Sequence, residues 1–187
     1  ERGAEIKDNP ARYLKVKGTG DSRAPFFTDE DEKRLIYELS QMSNQNHLRL
    51  TKLALTTGFR RSELLSLTWR NLDLKKNKIY VQRKECAVRG SSSSIRIVPL
   101  PIKAQKLLRS FESKEGKVLT LTKGSARNGF DKARKRAGLE TLRFHDLRHI
   151  AISRMWSYGM NALEISACSG HRDIKMLMRY SHYQLSF

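Results

Sequence analysis

The sequence is poor in the residues that staple small extracellular domains: it has two cysteines, Cys86 and Cys168, in 187 residues. Two thiols so far apart make neither a disulfide framework nor a zinc motif, and they suit a reducing compartment. Long apolar runs are lacking too. No stretch approaches the ~20 consecutive apolar residues that a membrane-spanning helix needs, and the opening ERGAEIKDNPARY has no apolar signal core. Acidic residues are scarce: 19 Asp and Glu stand against 37 Lys and Arg, a formal net charge of +18. That excess calls for a polyanion, nucleic acid before an anionic membrane surface. Hydrophobic residues at 39% still exclude a wholly disordered chain.

Residues 1–25, broken by Pro10, Gly18, Gly20 and Pro25, read as a linker or extended arm, and 26–187 as one folded domain. Thr28 with Asp31 three residues on forms a capping-box pattern, ahead of a stripe of Leu35, Ile36 and Leu39. A second helix is expected over 48–57, ended by Gly58. A third starts with Ser62 as its N-cap. The period then changes to two. Residues 78–88, with Ile79 and Val81 on one face, and 95–100 read as two strands of a hairpin joined through Gly90 and the serines after it. Helical patterns return at 104–111, 125–137, 144–158, 162–168 and 173–182. The helix after Phe144 is expected to bury Leu147, Ile150, Ala151, Met155 and Tyr158. The last is expected to bury Ile174, Leu177 and Met178. The fold class is mainly α with a small antiparallel β-sheet (α+β).

Histidines cluster late in the chain. His145 and Arg148 lie three residues apart on one helix, so their side chains share a neighbouring face and could grip a phosphate. Taken alone, the pair reads more readily as a solvated polar face. The same HDLRH stretch has the spacing of a zinc-protease H-E-x-x-H motif, but Asp146 is shorter than Glu and Arg148 sets a permanent cation beside the metal. Upstream, Arg60 follows Gly58 at a helix N-terminus. Either Arg60 and Arg61 are surface cations with Glu63 as a local partner, or one turns inward, is oriented by Glu63 and makes an anion site. Tyr180 follows His171 by nine residues, and a buried tyrosine is usually core with its hydroxyl held by an acceptor.

Together, TGFRRSELLSLTW, HDLRH, the GH ending at His171 and the MRY ending at Tyr180 resemble the catalytic domain of the tyrosine recombinases, the phage-integrase family. The tail is similar to shufflon-type DNA invertases. The resemblance implies roles by position. Arg60 and Arg148 would bind the non-bridging oxygens of the scissile phosphate. His145 and His171 would assist by hydrogen bonding and proton transfer, and Tyr180 would attack phosphorus to give a 3′-phosphotyrosyl link. Glu63 and His149 would support these groups from behind. No metal and no cofactor is implied, because a ring of cations can stabilise phosphoryl transfer by itself.

The family also places a lysine in the β-hairpin, about five residues before the arginine of an R-x-V-P-L stretch. Here Arg96 opens RIVPL and Ser91 stands at that position, so Lys84 becomes the candidate acid for the leaving 5′-oxygen, with Arg89 next. The expected partner is double-stranded DNA and no membrane, in the cytoplasm or on a bacterial nucleoid. An N-terminal DNA-clamping domain is expected to precede the arm. The full-length protein is expected to assemble as a tetrameric synapse and the isolated domain to be monomeric. Two other classes remain: a type IB topoisomerase or telomere-resolvase-like nicking-closing enzyme using the same residues, and a non-catalytic DNA-binding regulator that keeps only the basic scaffold.

Overall fold

The structure is a computed structural model that describes residues 27–82, 95–112, 114–171, 173–178 and 180. The arm over 1–25, the hairpin residues Lys84, Arg89 and Ser91, and His182 lie outside the described residues.

Helix α1 (Asp29–Ser40) begins with the box read from the sequence: the Asp31 N–H donates to the Thr28 hydroxyl at 3.1 Å, and the Thr28 N–H to the Asp31 carboxylate at 2.9 Å. Helix α2 (Asn46–Thr57) starts two residues earlier than expected and buries His47, Leu50, Thr51, Leu53, Ala54, Leu55 and Thr57. A helix buried on most sides is a central one. Helices α1, α3 (Arg61–Ser66), α4 (Ile102–Arg109), α5 (Lys123–Arg136) and α6 (Asp146–Ser157) all pack against it. Gly58 closes α2 with φ of 65°, and its N–H donates to the Ala54 carbonyl at 3.0 Å.

Strands β1 (Leu72–Asp73), β2 (Lys78–Gln82) and β3 (Ile95–Pro99) form an antiparallel sheet in the order β1-β2-β3. β1 is two residues long, too short for an alternating pattern to mark it. Register pairs Leu72 with Ile79, Ile79 with Val98 and Val81 with Arg96. Polarity along β3 is inverted. Ile95 and Ile97 are exposed at 62% and 53%, while Arg96 and Val98 are buried. Helix α7 (Ala162–Ser169) packs on β3, α6 and α8 (Lys175–Met178).

Three local expectations are corrected. The cap of α3 is Arg60 rather than Ser62, because the Glu63 carboxylate reaches back to the Arg60 N–H at 2.8 Å and satisfies it. Tyr158 is exposed, since α6 ends at Ser157 and the chain turns away through Gly159 with φ of 81°. The helix expected over 173–182 is the four-residue α8. Of its expected core residues only Leu177 is buried, while Ile174 and Met178 are exposed. Among the described residues no helix is long and apolar enough to cross a membrane.

Candidate active site

Arg148 is the centre of the site. It lies in the first turns of α6 and is buried, and a buried guanidinium needs acceptors to offset its desolvation. Two helix ends supply them. Nη1 donates to the Gly58 carbonyl at the close of α2, at 2.6 Å, and to the Ser169 carbonyl at the close of α7, at 2.7 Å. Both are carbonyl-rich C-termini, where a helix dipole favours a cation. Burial, followed by the charge of Arg60, lowers the Arg148 pKa to about 10, so it stays a cation at neutral pH.

Nη2 of Arg148 points instead at the His171 ring, 3.1 Å from each ring nitrogen. The Ser169 hydroxyl donates to the Ile165 carbonyl at 2.6 Å, so its oxygen is left to accept from His171 Nδ1 at 2.7 Å. That assigns the proton to Nδ1 and leaves the Nε2 lone pair toward the guanidinium. Burial first, then the charges of Arg148 and Arg60, push the His171 pKa down to about 3. His145, the N-cap of α6, is lowered for the same reasons in the same order: desolvation, then Arg148.

Arg60 stands exposed across from this cluster. Its Nη1 lies 3.4 Å from Glu63, and the same carboxylate lies 3.4 Å from Nη2 of Arg96. Glu63 therefore ties the arginine at the start of α3 to a buried arginine on β3. Arg61 lies over the Phe144 ring at 5.8 Å. Both Arg60 and Arg61 face a cleft of about 410 Å³, together with Arg127, Arg134, Arg143 and Arg148. Asp131 is the one acid among the described residues lining it.

Tyr180 follows α8, its N–H donating to the Leu177 carbonyl at 2.9 Å. The ring is buried, and the hydroxyl is hydrogen-bonded to Nδ1 of His149, with the two rings stacked at 5.8 Å. The His149 ring in turn meets the His145 ring edge-on at 5.0 Å. Arg60, His145, Arg148, His149, His171 and Tyr180, from four separate stretches of chain, thus share one site, and Glu63 supports it. Lys84 and its substitute Arg89 lie outside the described residues. Among the described residues no three His, Cys, Asp or Glu side chains form a group that could hold a metal ion.

Sequence reasoning missed two participants. Arg96 served there only as a landmark, yet it packs under the site between Glu63, the Phe59 ring at 5.1 Å and Gly170. Hydrophobicity would have turned Ile95 and Ile97 inward; only the register of β3 puts Arg96 on the face of buried Val98. Ser169 gave no signal: its role depends on a carbonyl one helical turn back.

Residues 25–186 match the Phage integrase family. The chain is 34% identical over 181 residues to the shufflon-specific DNA recombinase of Escherichia coli, covering 94% of this chain and 44% of that protein. It is 25% identical over 186 residues to the integrase of Salmonella phage P22, covering 92% and 47%. It therefore spans about half the length of the curated relatives it matches. The catalytic domain of bacteriophage HP1 integrase superposes with a TM-score of 0.68 at 28% identity, covering 84% of this chain and 87% of that domain. With the motif residues gathered at one site and the match running nearly end to end, the chain belongs to the phage integrase family.

Proposed function

We propose that this chain is the catalytic domain of a site-specific DNA recombinase that cuts and rejoins strands through a 3′-phosphotyrosyl intermediate. One observation carries the reading: Arg148, fixed by two helix ends, lines an arginine-rich cleft with Arg60 and His145, touches His171, and is followed on its helix by His149, whose ring meets the Tyr180 hydroxyl. A phosphodiester seated there meets two guanidinium groups. The site supplies charge where a transferring phosphoryl group develops it.

Arg60 and Arg148 hold the non-bridging oxygens. His171, oriented by Ser169 through Nδ1, donates from Nε2 to the phosphate once the bound anion favours its imidazolium, and His145 faces it from the N-cap of α6. Tyr180 attacks phosphorus, and Lys84 is the assigned acid for the leaving 5′-oxygen, with Arg89 its substitute. Because the covalent link conserves the phosphodiester bond energy, rejoining needs no nucleotide cofactor. The full-length protein acts in the cytoplasm, on double-stranded DNA of a mobile or invertible element, as a tetramer on two sites.

The test is a suicide substrate: a duplex nicked close to the cleavage point, carrying inverted-repeat segments from the DNA that adjoins the coding sequence. The wild type is expected to give a denaturation-resistant adduct whose linked peptide contains Tyr180, and Tyr180→Phe none. An adduct on another residue, or none with any such segment, overturns the reading. Relaxation of supercoiled plasmid without a defined site would favour the topoisomerase class.

A further inference from the structure

Resting on the recombinase reading, we propose that His149 is the general base that takes the proton of the Tyr180 hydroxyl as the phenol attacks phosphorus. The observation is direct: Nδ1 of His149 is the ring atom in contact with the Tyr180 hydroxyl, and the two rings lie nearly parallel, 27° apart. A base must lie within hydrogen-bond reach of the proton it removes, and Nδ1 of His149 lies within that reach of the phenol.

The surroundings suit the role. His149 follows Arg148 on α6, so the residue that grips the phosphate and the residue that deprotonates the nucleophile are fixed by one rigid helix. Among the described residues, the other titratable and charged groups around it are His145 and Arg148 on α6, His171 beyond α7, Arg60 and Glu63 at the start of α3, and Arg96 on β3. His171 is committed to Ser169 and Arg148. His145 meets His149 edge-on, its ring centroid 5.0 Å away.

The step balances. The O–H bond of Tyr180 breaks and its proton passes to the Nδ1 lone pair of His149, which carries its own proton on Nε2. The phenolic oxygen bonds phosphorus. The P–O5′ bond breaks with its electron pair on the 5′-oxygen, which takes a proton from the lysine acid assigned above. On rejoining, the 5′-hydroxyl attacks phosphorus as its proton returns to the lysine amine, the phenolic O–P bond breaks, and Nδ1–H of His149 returns its proton to the departing phenoxide.

His149→Asn is the informative variant, because a carboxamide can hold the phenol hydrogen bond but cannot accept a proton. Single-turnover cleavage of the suicide substrate is measured for wild type and variant, with an ordinary 5′-oxygen and with a 5′-bridging sulfur, whose thiolate leaves without a proton. The variant is expected to bind DNA as wild type does and to cleave about 10²–10³-fold more slowly near neutral pH. The sulfur substrate is expected to leave that deficit in place. Raising the pH toward the phenol's own ionisation, near 10, is expected to shrink it. A deficit rescued by sulfur assigns His149 to the leaving group, and a deficit constant with pH makes it structural; either overturns the proposal, as does unimpaired cleavage by the variant. Failure of the wild type to form any adduct overturns the recombinase reading, and this proposal with it.

Discussion

The space that a Cβ would occupy at Gly170 is filled by the Arg96 guanidinium: an ideal Cβ there would fall 2.6 Å from Cζ and overlap Nη1. Gly170 also closes α7 with φ of 76°, a conformation that side chains resist. The turn that presents His171 and the buried arginine of β3 therefore depend on one missing side chain. Gly170→Ala is expected to lose about 1–3 kcal/mol by urea unfolding and most of its adduct formation. Gly159→Ala is the control. Its φ is 81° and no heavy atom lies within 4 Å of the added carbon, so it bears the backbone strain alone. Equal effects of the two variants on stability and cleavage would show that Arg96 does not need the space.

Arg148→Lys tests whether charge alone suffices at the centre of the site. An ammonium keeps the positive charge but loses the planar fork that reaches Gly58, Ser169 and His171 together. Leaving one of those buried acceptors unmet costs about 1–3 kcal/mol. The variant is expected to unfold at correspondingly lower urea and to form adduct far more slowly than wild type. Cleavage at the wild-type rate would mean that the fork is dispensable.

The residues gathered at the candidate site are legible because they are unusual types at fixed offsets: arginine after Gly58, histidine and arginine one turn apart, tyrosine nine beyond histidine. The Thr28 cap and the Gly58 stop were legible because their partners lie within four residues. What the sequence hid depends on partners far along the chain. Arg96 sits inward while Ile95 and Ile97 face out, which contradicts hydrophobicity and makes sense only once Glu63 and Gly170 are beside it. The pairing of His149 with Tyr180 spans 31 residues and follows from how α8 docks. The shortness of α8 has the same origin: its stripe of Ile174, Leu177 and Met178 looks helical, but only Leu177 finds the core.

His47 offers a test of the scaffold away from the chemistry. It is buried on α2, with Nδ1 3.0 Å from the Asn44 carbonyl and Nε2 3.1 Å from the Ser125 carbonyl, joining α2 to α5. Gly129 on α5 makes room for the ring, since a Cβ there would fall 2.8 Å from Cγ and closer still to Cδ2 and Nε2. Gly129→Ala is expected to destabilise by about 1–3 kcal/mol in spite of alanine's better helix propensity. Combining it with His47→Ala should cost less than the sum of the two single changes. Additivity in the double-mutant cycle would remove the steric account.

The lowered pKa of His171 fixes the direction of a pH effect. In the unfolded chain an imidazole titrates near 6.5, whereas in the fold it resists protonation down to about 3. Below the unfolded value the unfolded chain therefore binds the additional proton. The contribution is complete above about 6.5 and is lost as pH falls toward 3. Wild type is expected to lose more stability between neutral pH and mild acid than His171→Gln, read as the change in urea midpoint. Parallel midpoints for the two proteins would show that His171 titrates normally. A phosphate anion at the site favours the imidazolium, so DNA binding is expected to take up a proton and to tighten in mild acid.

The arginines of the cleft make the last prediction. With a net charge of +18 and Arg61, Arg127, Arg134 and Arg143 beside the site, most of the affinity for DNA should come from phosphate neutralisation. The logarithm of the binding constant is therefore expected to fall steeply and linearly with the logarithm of salt concentration. Arg127 and Arg134 already face Asp131, at 3.8 and 2.8 Å, and so have less charge to offer a phosphate than Arg143. Arg143→Ala is expected to reduce the salt slope by about one and to weaken every duplex alike. Arg154→Ala is the matched control, because Arg154 is held between Glu32 at 2.5 Å and Asp29 at 3.7 Å on α1 and should leave the slope unchanged. If Arg143→Ala weakened one sequence and spared others, its side chain would be reading bases rather than neutralising the backbone.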